Sequence, residues 1–321
     1  MTTVARWVEV HRLAVAGREA LIARDVGRRV ARVWLRRSPF ADVVALASAT
    51  LTLGPDASAF HHLGRAQLFT ARPQRALDSF EQALNLYRAA GDRVNEAAAL
   101  SSIGVVYNRL GDRERALAHY HQALPILRDV GDRIGEATTL NNIGRVYSDL
   151  GDRQQALAHY RQALPIRREV GDRVGEAATL TNIGAAYDSL GDRQRALAHY
   201  HQALPIQREV GDRVGEAATL ANIGLVYKRL DPRQSLTYYH QALPIQRDVG
   251  DRAGEAVTRY NIAMIHRAAG NLDGAISELE LVVDIDRQVG HLNLASDLAK
   301  LEQVRQERAE ARKATWRAPD D

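Results

Sequence analysis

Histidines recur at regular intervals in this 321-residue sequence, and imidazole nitrogens are common ligands of metal ions. The two columns comprise His119, His159 and His199, and His121, His201 and His240. Two ligands on one helix usually stand at i and i+4, whereas the closest histidines here stand at i and i+2 and diverge on a helix. We therefore predict solvent-exposed histidines on helices and no metal site.

Asparagine recurs as well, in the middle of a segment with helical periodicity. The equivalent residues are Asn142, Asn182, Asn222 and Asn261, with Ser102 in an earlier copy. Asn is a mediocre helix former, so helix propensity does not explain its recurrence. A primary amide can donate and accept a hydrogen bond at the same time, which suits it to binding. Hydrogen bonds between helices and simple copying by repeat duplication stay open as alternatives.

Catalytic motifs are missing from the sequence. It contains no Walker phosphate loop, no Gly-x-Ser-x-Gly and no His-Glu-x-x-His, and its many Gly-Asp-Arg triplets fit turns and helix caps. The chain has no cysteine, which excludes disulfides, thiolate metal sites and a cysteine nucleophile. We predict a protein that is not an enzyme and has no catalytic, cofactor-binding or metal-binding residues.

These residues belong to a forty-residue unit that is copied several times. Its clearest copy spans residues 171–210, and close copies also begin at Gly131 and Gly211. A looser copy begins at Gly91, and a shortened frame brings the next to Gly250. A fixed period of this length is typical of arrays in which supersecondary units stack on one another.

The copy from Gly131 predicts a pair of amphipathic helices. Asp132 and Asp152 precede apolar stripes with three- and four-residue steps and are suited to cap two helices. Gly151 stands where the first helix would end in a left-handed conformation. Neither stripe can be buried by one pair alone, so we predict an all-α fold, an α-solenoid of antiparallel helix pairs.

Two residue types stand where helices usually exclude them. A mid-helix glycine recurs at Gly64, Gly104, Gly144, Gly184 and Gly224. Each costs about 1 kcal/mol relative to alanine, and close approach of two helices is the expected reason. Prolines recur in the second helix at Pro125, Pro165, Pro205 and Pro244. Each could kink the helix or divide it, and the continuing apolar stripe favours a kink.

The repeats suggest four regions. Residues 1–56 form a basic helical capping segment, with helices over 3–37 and 40–53, a stop at Ser38-Pro39 and candidate breaks at Gly17 and Gly27. Residues 57–290 form the array of about six repeats. Residues 291–313 form a capping helix, and 314–321 a disordered tail.

Charge is concentrated at the N-terminus. Residues 1–38 hold nine arginines against three acidic residues, a net charge of +6, whereas the whole chain carries +4. A basic helix could bind nucleic acid, but no helix-turn-helix signature supports this, and docking onto the first repeat is the alternative. No secretory signal and no apolar run long enough for a membrane span is present, so we expect a cytoplasmic protein without a membrane segment.

The pattern Leu-x-x-Ile-Gly-x-x-Tyr-x-x-Leu-Gly-Asp followed by Ala-Leu-x-x-Tyr-x-x-Ala-Leu resembles the tetratricopeptide repeat. The forty-residue spacing is similar to the form found in kinesin light chains, spindle-orientation adaptors and helical arms of actinobacterial signalling ATPases. The resemblance covers residues 57–290. It implies a right-handed superhelix whose first helices line a concave groove for peptides, and an asparagine ladder that grips the backbone of an extended peptide.

Positions off the packing stripe of the first helices vary between copies. One column comprises Ser101, Asn141, Thr181, Ala221 and Tyr260, and another Val105, Arg145, Ala185, Leu225 and Met264. We predict partner-binding residues at the four asparagines and at Arg109, Arg145, Asp188, Leu225, Lys228, Arg229 and Tyr260. Five basic groups in these columns, which also include Arg267, against Asp149 and Asp188 point to an acidic partner. Neutral drift on a solvated face is the alternative.

Three functions are compatible with these features of the sequence. The first is a non-catalytic scaffold that binds an extended segment of a protein or peptide partner. The second is the regulatory or sensor arm of a signalling system whose effector is on another chain. Nucleic-acid binding through the N-terminal helix is third and least favoured. The sequence predicts no particular oligomeric state.

Overall fold

The computed structural model describes residues 3–35, 40–290 and 293–317, and these form helices and no strand. The helices are α1 (Thr3–Ala16), α2 (Ala20–Trp34), α3 (Phe40–Leu51), α4 (Ala57–Phe69), α5 (Pro73–Ala90), α6 (Arg93–Arg109), α7 (Arg113–Asp129), α8 (Arg133–Asp149), α9 (Arg153–Glu169), α10 (Arg173–Ser189), α11 (Arg193–Val210), α12 (Arg213–Tyr227), α13 (Pro232–Asp248), α14 (Arg252–Ala268), α15 (Leu272–Val289) and α16 (Leu294–Arg317). The predicted all-α fold class is confirmed. None of these helices has the length and apolar content of a membrane-spanning segment.

The chain divides into two compact units, residues 1–170 and 171–321. Helix pairs α4/α5, α6/α7 and α8/α9 form the repeats of the first unit, and α10/α11, α12/α13 and α14/α15 those of the second. The first helices of neighbouring repeats also touch within each unit, α4 with α6, α6 with α8, α10 with α12 and α12 with α14. The first helices thus lie side by side along one flank of each unit.

Short polar caps begin the repeat helices. From α6 to α15, an Asp or Asn before each helix accepts a hydrogen bond from a backbone N–H two or three residues later. Gly151 has φ of 87° between α8 and α9, a left-handed conformation that most residues avoid. The predicted caps and the turn glycine are confirmed. Asp231 also caps α13, where Pro232 replaces the residue after the usual Gly-Asp turn.

The mid-helix glycines lie against aromatic rings of the second helices. A Cβ atom at Gly144 would lie 2.5 Å from Cε1 of Tyr160, and one at Gly184 would lie 2.6 Å from Cε1 of Tyr200. Phe80 takes the same position opposite Gly64. The expected close approach is confirmed, and it allows each ring to be almost fully buried between two helices.

Within each unit, a buried glutamate joins neighbouring repeats. Glu136 accepts hydrogen bonds from Arg128 Nε at 2.8 Å and from Arg133 Nη1 at 2.5 Å. Arg128 belongs to the second helix of the preceding repeat, so the carboxylate connects two repeats within the first unit. The same arrangement recurs at Glu96, Glu216 and Glu255.

The second helices run without interruption through their prolines. Pro125 lies inside α7, Pro165 inside α9, Pro205 inside α11 and Pro244 inside α13. The alternative in which proline divides the helix is therefore excluded. Ile126 and Ile166, one residue beyond the proline, are buried and continue the apolar stripe.

The N-terminal helices pack onto the first repeat. Val30, Val43 and Leu46 form a core cluster with Ala66 of α4. The break between α1 and α2 lies at Gly17 and Arg18, which has φ of 57°. Gly27 is not a break; it is buried inside α2, where a Cβ would lie 3.1 Å from the hydroxyl oxygen of Thr50. Ser38-Pro39 lies outside the described residues.

The last helix covers the end of the second unit. Leu301 and Val304 of α16 pack against Leu279 and Val283 of α15. The helix continues to Arg317, four residues into the segment that we predicted as a tail from Ala314. Residues 318–321 of that segment lie outside the described part of the chain.

Candidate functional site

The predicted partner-binding residues lie on the first helices or directly after them. We call this set, without Tyr260 and Asn261, the first-helix surface. In the first unit it comprises Arg109 of α6 with Asn142 and Arg145 of α8. In the second unit it comprises Asn182 and Asp188 of α10, Asn222 and Leu225 of α12, and Lys228 and Arg229 after α12. Each unit thus holds its own part of the surface.

The asparagine column is half-buried in every copy, but its amides differ in their contacts. The amides of Asn142 and Asn222 have no hydrogen-bond partner among the residues that the structure describes. In contrast, Asn261 accepts a hydrogen bond from Lys228 Nζ at 2.9 Å and donates one to the carbonyl oxygen of Val257 at 3.1 Å. Asn142 and Asn222 can therefore bind a ligand without losing a contact, whereas Asn261 cannot.

A surface pocket of about 280 Å³ lies beside Leu225 in the second unit. Its walls are formed by Asp188, Ser189, Arg193, Leu225 and Arg229. The Leu225 side chain is 45% exposed, and Asn222 stands three residues before it on the same helix face. The pocket therefore combines an apolar contact with two guanidinium groups and one carboxylate.

Arg193 was not among the predicted residues. It is the first residue of α11 and the last of a Gly-Asp-Arg triplet, which we interpreted as a turn and cap only. No ion pair to Arg193 or Arg229 occurs in the described part of the chain. Two unpaired cations beside Asp188 give this pocket a positive character, which agrees with the predicted acidic partner without testing it.

Lys228 lies at the edge of the same surface and is half-buried. Burial lowers the pKa of its ammonium group, and the neighbouring Arg229 lowers it further. Its hydrogen bond goes to a neutral amide oxygen, so no carboxylate compensates the charge. A negative group that approached this position would be favoured on both counts.

The basic residues of the other repeats are partly engaged. Arg109 Nη1 donates to the carbonyl oxygen of Leu68 at 3.0 Å. Arg267, which we counted among the basic groups, forms a two-point ion pair with Glu307 of α16 at 2.5 and 2.9 Å. Arg145 is exposed. The positive character of the surface is therefore smaller than the sequence suggested.

One variable column lies between helices rather than on the open surface. The Ser101 hydroxyl is 3.1 Å from that of Thr139, and the Thr181 hydroxyl is 3.1 Å from that of Thr219. Tyr260, at the equivalent position, is partly buried against the core clusters of α14 and α15. Each contact joins neighbouring elements, so variation there changes packing as well as any ligand contact.

The histidines of the second helices stack on tyrosines. The ring centroids of His159 and Tyr147 are 5.5 Å apart, and those of His199 and Tyr187 are also 5.5 Å apart, with nearly parallel rings. Burial lowers the pKa of His159, with a smaller effect from His121. His119, His159 and His199 are therefore half-buried rather than fully solvated, whereas His121, His201 and His240 are exposed, as predicted. No cluster of three or more metal-ligating side chains occurs among the described residues.

The basic N-terminal segment is partly neutralised by its own acidic residues. Arg12 pairs with Glu9, and Arg28 and Arg29 both pair with Asp25. Because one face of α2 is also buried against α3 and α4, few of its arginines are free to contact phosphates. Docking onto the first repeat, the alternative that we considered, is what the structure shows.

The repeat architecture decides the family. The tetratricopeptide repeat family model matches residues 59–94, 95–169, 149–209, 175–248 and 215–288, which is more than half of the chain. The chain belongs to the tetratricopeptide repeat family. No curated protein matches it. Repeats of this family are generally non-catalytic interaction scaffolds.

Several solved structures share this tetratricopeptide repeat fold. The apo form of the quorum sensor NprR from B. thuringiensis is 16% identical, with a TM-score of 0.72 over 88% of this chain and 82% of that one. A Rap protein complexed with Competence and Sporulation Factor is 15% identical, with a TM-score of 0.61 over 96% and 98%. A signal transduction ATPase with a tetratricopeptide repeat sensor from Pyrococcus horikoshii is 16% identical, with a TM-score of 0.67 over 95% and 54%. These likenesses establish the helical solenoid fold.

Proposed function

We propose that this chain is a non-catalytic scaffold that holds an extended segment of a partner protein against the first-helix surface. The observation that carries the proposal is the free amide of Asn222, half-buried beside Leu225. This amide is not among the buried unsatisfied groups, so it is accessible, and a peptide backbone supplies both an acceptor and a donor for it. Asn142 offers the same group in the first unit.

The pocket of the second unit indicates the chemistry of the segment. An apolar side chain would contact Leu225, and an acidic one would lie between Arg193 and Arg229. Lys228 adds a positive charge whose present partner is only an amide. We therefore propose a partner segment in which an aspartate or glutamate lies close to an apolar residue.

The test uses a library of random peptides displayed on phage and selected on the full chain. A selected peptide is labelled, and its affinity is measured by fluorescence anisotropy for the wild type, Asn222→Ala and Asn261→Ala. Loss of one hydrogen bond to the peptide backbone should weaken binding by Asn222→Ala about five- to tenfold. Asn261→Ala is the matched control, because its amide is already satisfied within the chain.

Unchanged affinity of Asn222→Ala would show that this amide does not contact the peptide. Equal losses in the two variants would mean that the column contributes to packing rather than to recognition. Arg229→Gln should lower the affinity for an acidic peptide but not the affinity for the same peptide with Glu replaced by Gln. Equal losses of affinity for the two peptides would contradict the proposal of an acidic partner.

A sensor arm is the second candidate. It is favoured by the likeness of almost the whole chain to part of a signalling ATPase that carries a tetratricopeptide repeat sensor. An effector encoded beside this gene that co-purifies with the chain would support it. Affinity capture and mass spectrometry that recover only proteins without effector domains would count against it.

A further inference from the structure

A second pocket, outside the first-helix surface, lies in the first unit where the N-terminal segment meets the first repeat. Its volume is about 440 Å³. Arg28 and Arg32 of α2 form part of one wall, and His61, His62 and Arg65 of α4 form another. The remaining lining residues are Asp56, Ala57, Ser58, Tyr87, Ala90, Asp92 and Asn95. Three guanidinium groups and two imidazoles thus converge on one cavity.

The two carboxylates of this pocket are already occupied by helix N-termini. Asp56 accepts a hydrogen bond from the backbone N–H of Ala59 at 2.7 Å and caps α4. Asp92 accepts hydrogen bonds from the backbone N–H and the amide of Asn95 and caps α6. Because both charges lie at the positive end of a helix dipole, they compensate the arginines only in part.

The arginines differ in their pairing. Arg28 Nη2 lies 3.0 Å from the Asp25 carboxylate, whereas Arg32 forms no ion pair with any residue that the structure describes. Arg32 is exposed and reaches the pocket from the last turn of α2. Its guanidinium is therefore available to a ligand, in a geometry that suits two-point hydrogen bonding to an oxyanion.

The two histidines are held in their neutral form. Burial lowers the pKa of His61 to about 3, with smaller effects from His62 and Arg65. Burial also lowers the pKa of His62 to about 4, with further effects from Arg65, Arg32 and Arg28. The charged and titratable groups that face them are Arg28, Arg32, Arg65, Asp56, Asp92 and Tyr87. A bound anion would offset the arginines and raise both pKa values toward neutrality.

We propose that this pocket binds a doubly charged oxyanion of the phosphate type. The guanidinium of Arg32 and the imidazole N–H of His62 supply donors, whereas Nε2 of His61 already lies 3.3 Å from the Ser102 hydroxyl. The volume leaves room for the organic group that carries the anion. The N-terminal segment is then more than a cover for the first repeat, because α2 completes a binding site with α4. This inference does not depend on the peptide-binding proposal.

Comparison of the repeats supports a specialised first copy. His62 occupies the position of Asn142 and Asn222 in later copies, and Arg65 occupies that of Arg145. The first helix of the array therefore carries imidazole and guanidinium where Asn142 and Asn222 and a variable residue stand in later copies. This copy contacts α2 directly through α4.

The experiment measures binding of two probes to the full chain by isothermal titration calorimetry. Sulfate tests a free dianion, and a phosphoserine peptide tests a dianion carried by a protein segment. Arg32→Gln should lower the affinity for each probe that binds by about tenfold. Arg233→Gln is the matched control, since it removes an exposed arginine of the second helix α13 that lies outside both the pocket and the first-helix surface. If the phosphoserine peptide binds more tightly than sulfate, the ligand is a phosphate group carried by a peptide. If the two affinities are equal, the ligand is a small anion.

Saturable binding that Arg32→Gln weakens and Arg233→Gln leaves unchanged supports the site. Absence of saturable binding of both probes would overturn it, and so would equal losses in the two variants. Sulfate keeps its charge on mild acidification, so its affinity should rise as the pH falls from about 7 to about 5, through protonation of His61 and His62. A pH-independent affinity in both the wild type and His62→Gln would remove the histidines from the site.

Discussion

At Gly184, a hydrogen atom stands where another residue would place its Cβ atom within 2.6 Å of the Tyr200 ring. Glycine in mid-helix costs about 1 kcal/mol relative to alanine. The tyrosine compensates for that cost, since its ring is buried between the two helices of the repeat. The pair works as a unit, and its recurrence across the copies shows that packing selects both residues together.

Gly184→Ala should destabilise the chain by about 1–3 kcal/mol, because the ring must move away from the new methyl group. In a Tyr200→Ala background the clash is gone, and Gly184→Ala should then stabilise by about 1 kcal/mol through helix propensity. Urea unfolding of the four proteins measures both effects. The same sign in both backgrounds would contradict the packing role of the glycine.

Glu96 shows how a titratable residue connects two repeats. Burial by itself raises its pKa, but hydrogen bonds and charges from Arg88 and Arg93 outweigh this, and the net pKa lies below its ordinary value. A carboxyl group with a lowered folded-state pKa stabilises the fold above its unfolded pKa of about 4.3, and this contribution is lost as the pH falls through the folded value.

Glu96→Gln should therefore lower stability by about 1–3 kcal/mol near neutral pH. The difference from wild type should shrink as the pH falls below about 4. Glu169→Gln is the control, because that residue is exposed and its single pair with Arg133 should contribute less than about 1 kcal/mol. A difference that stays constant with pH would show that the charge of Glu96 contributes nothing.

Residues that pack could be predicted from the sequence, whereas the contacts of the candidate binding residues could be predicted only in part. The apolar stripes, caps and glycines recur at a fixed spacing, so each copy supports the interpretation of the others. Whether an asparagine amide is already hydrogen-bonded depends instead on neighbours that do not repeat. Lys228, for example, stands 33 residues before Asn261 and donates a hydrogen bond to its amide oxygen. The pocket beside Arg32 was missed because it combines residues of α2 and α4 that share no motif.

At the scale of the helix, the second helices tolerate a proline without ending. Pro205 is exposed within α11, so its ring occupies solvent while the helix continues to Val210. A proline at this position removes one backbone hydrogen bond and crowds the preceding turn. The sequence showed this cost but could not decide between a bent helix and two shorter ones.

Pro205→Ala should increase stability by about 1–3 kcal/mol, because alanine restores the missing hydrogen bond and relieves the crowded turn. Pro232→Ala is the matched control. Pro232 stands in the first turn of α13, where its fixed φ is favourable, so its replacement should be neutral or slightly destabilising. Thermal unfolding of both variants measures the effects. Destabilisation by Pro205→Ala would mean that the packing of α11 depends on the proline.

At the scale of the whole chain, each unit consists of helix pairs that bury their stripes against neighbours and leave one flank of first helices accessible. The α16 helix covers the last stripe of the second unit, and α1–α3 pack against the first repeat. Several residues that vary between copies, among them Arg145, Ala185 and Leu225, are exposed on this flank. This separation of constant packing positions and variable surface positions underlies the proposed binding of an extended partner.

The most direct test of partner binding at the first-helix surface uses the absence of cysteine from the chain. A single thiol is introduced by Leu225→Cys on the first-helix surface, or by Ala198→Cys on the exposed side of the second helix α11 as a control. The rate of maleimide modification is then measured with and without the peptide selected on the chain. We predict that the peptide protects the thiol of Leu225→Cys and leaves that of Ala198→Cys unchanged. Protection of Ala198→Cys alone, or of neither thiol at saturating peptide, would contradict the proposed binding surface.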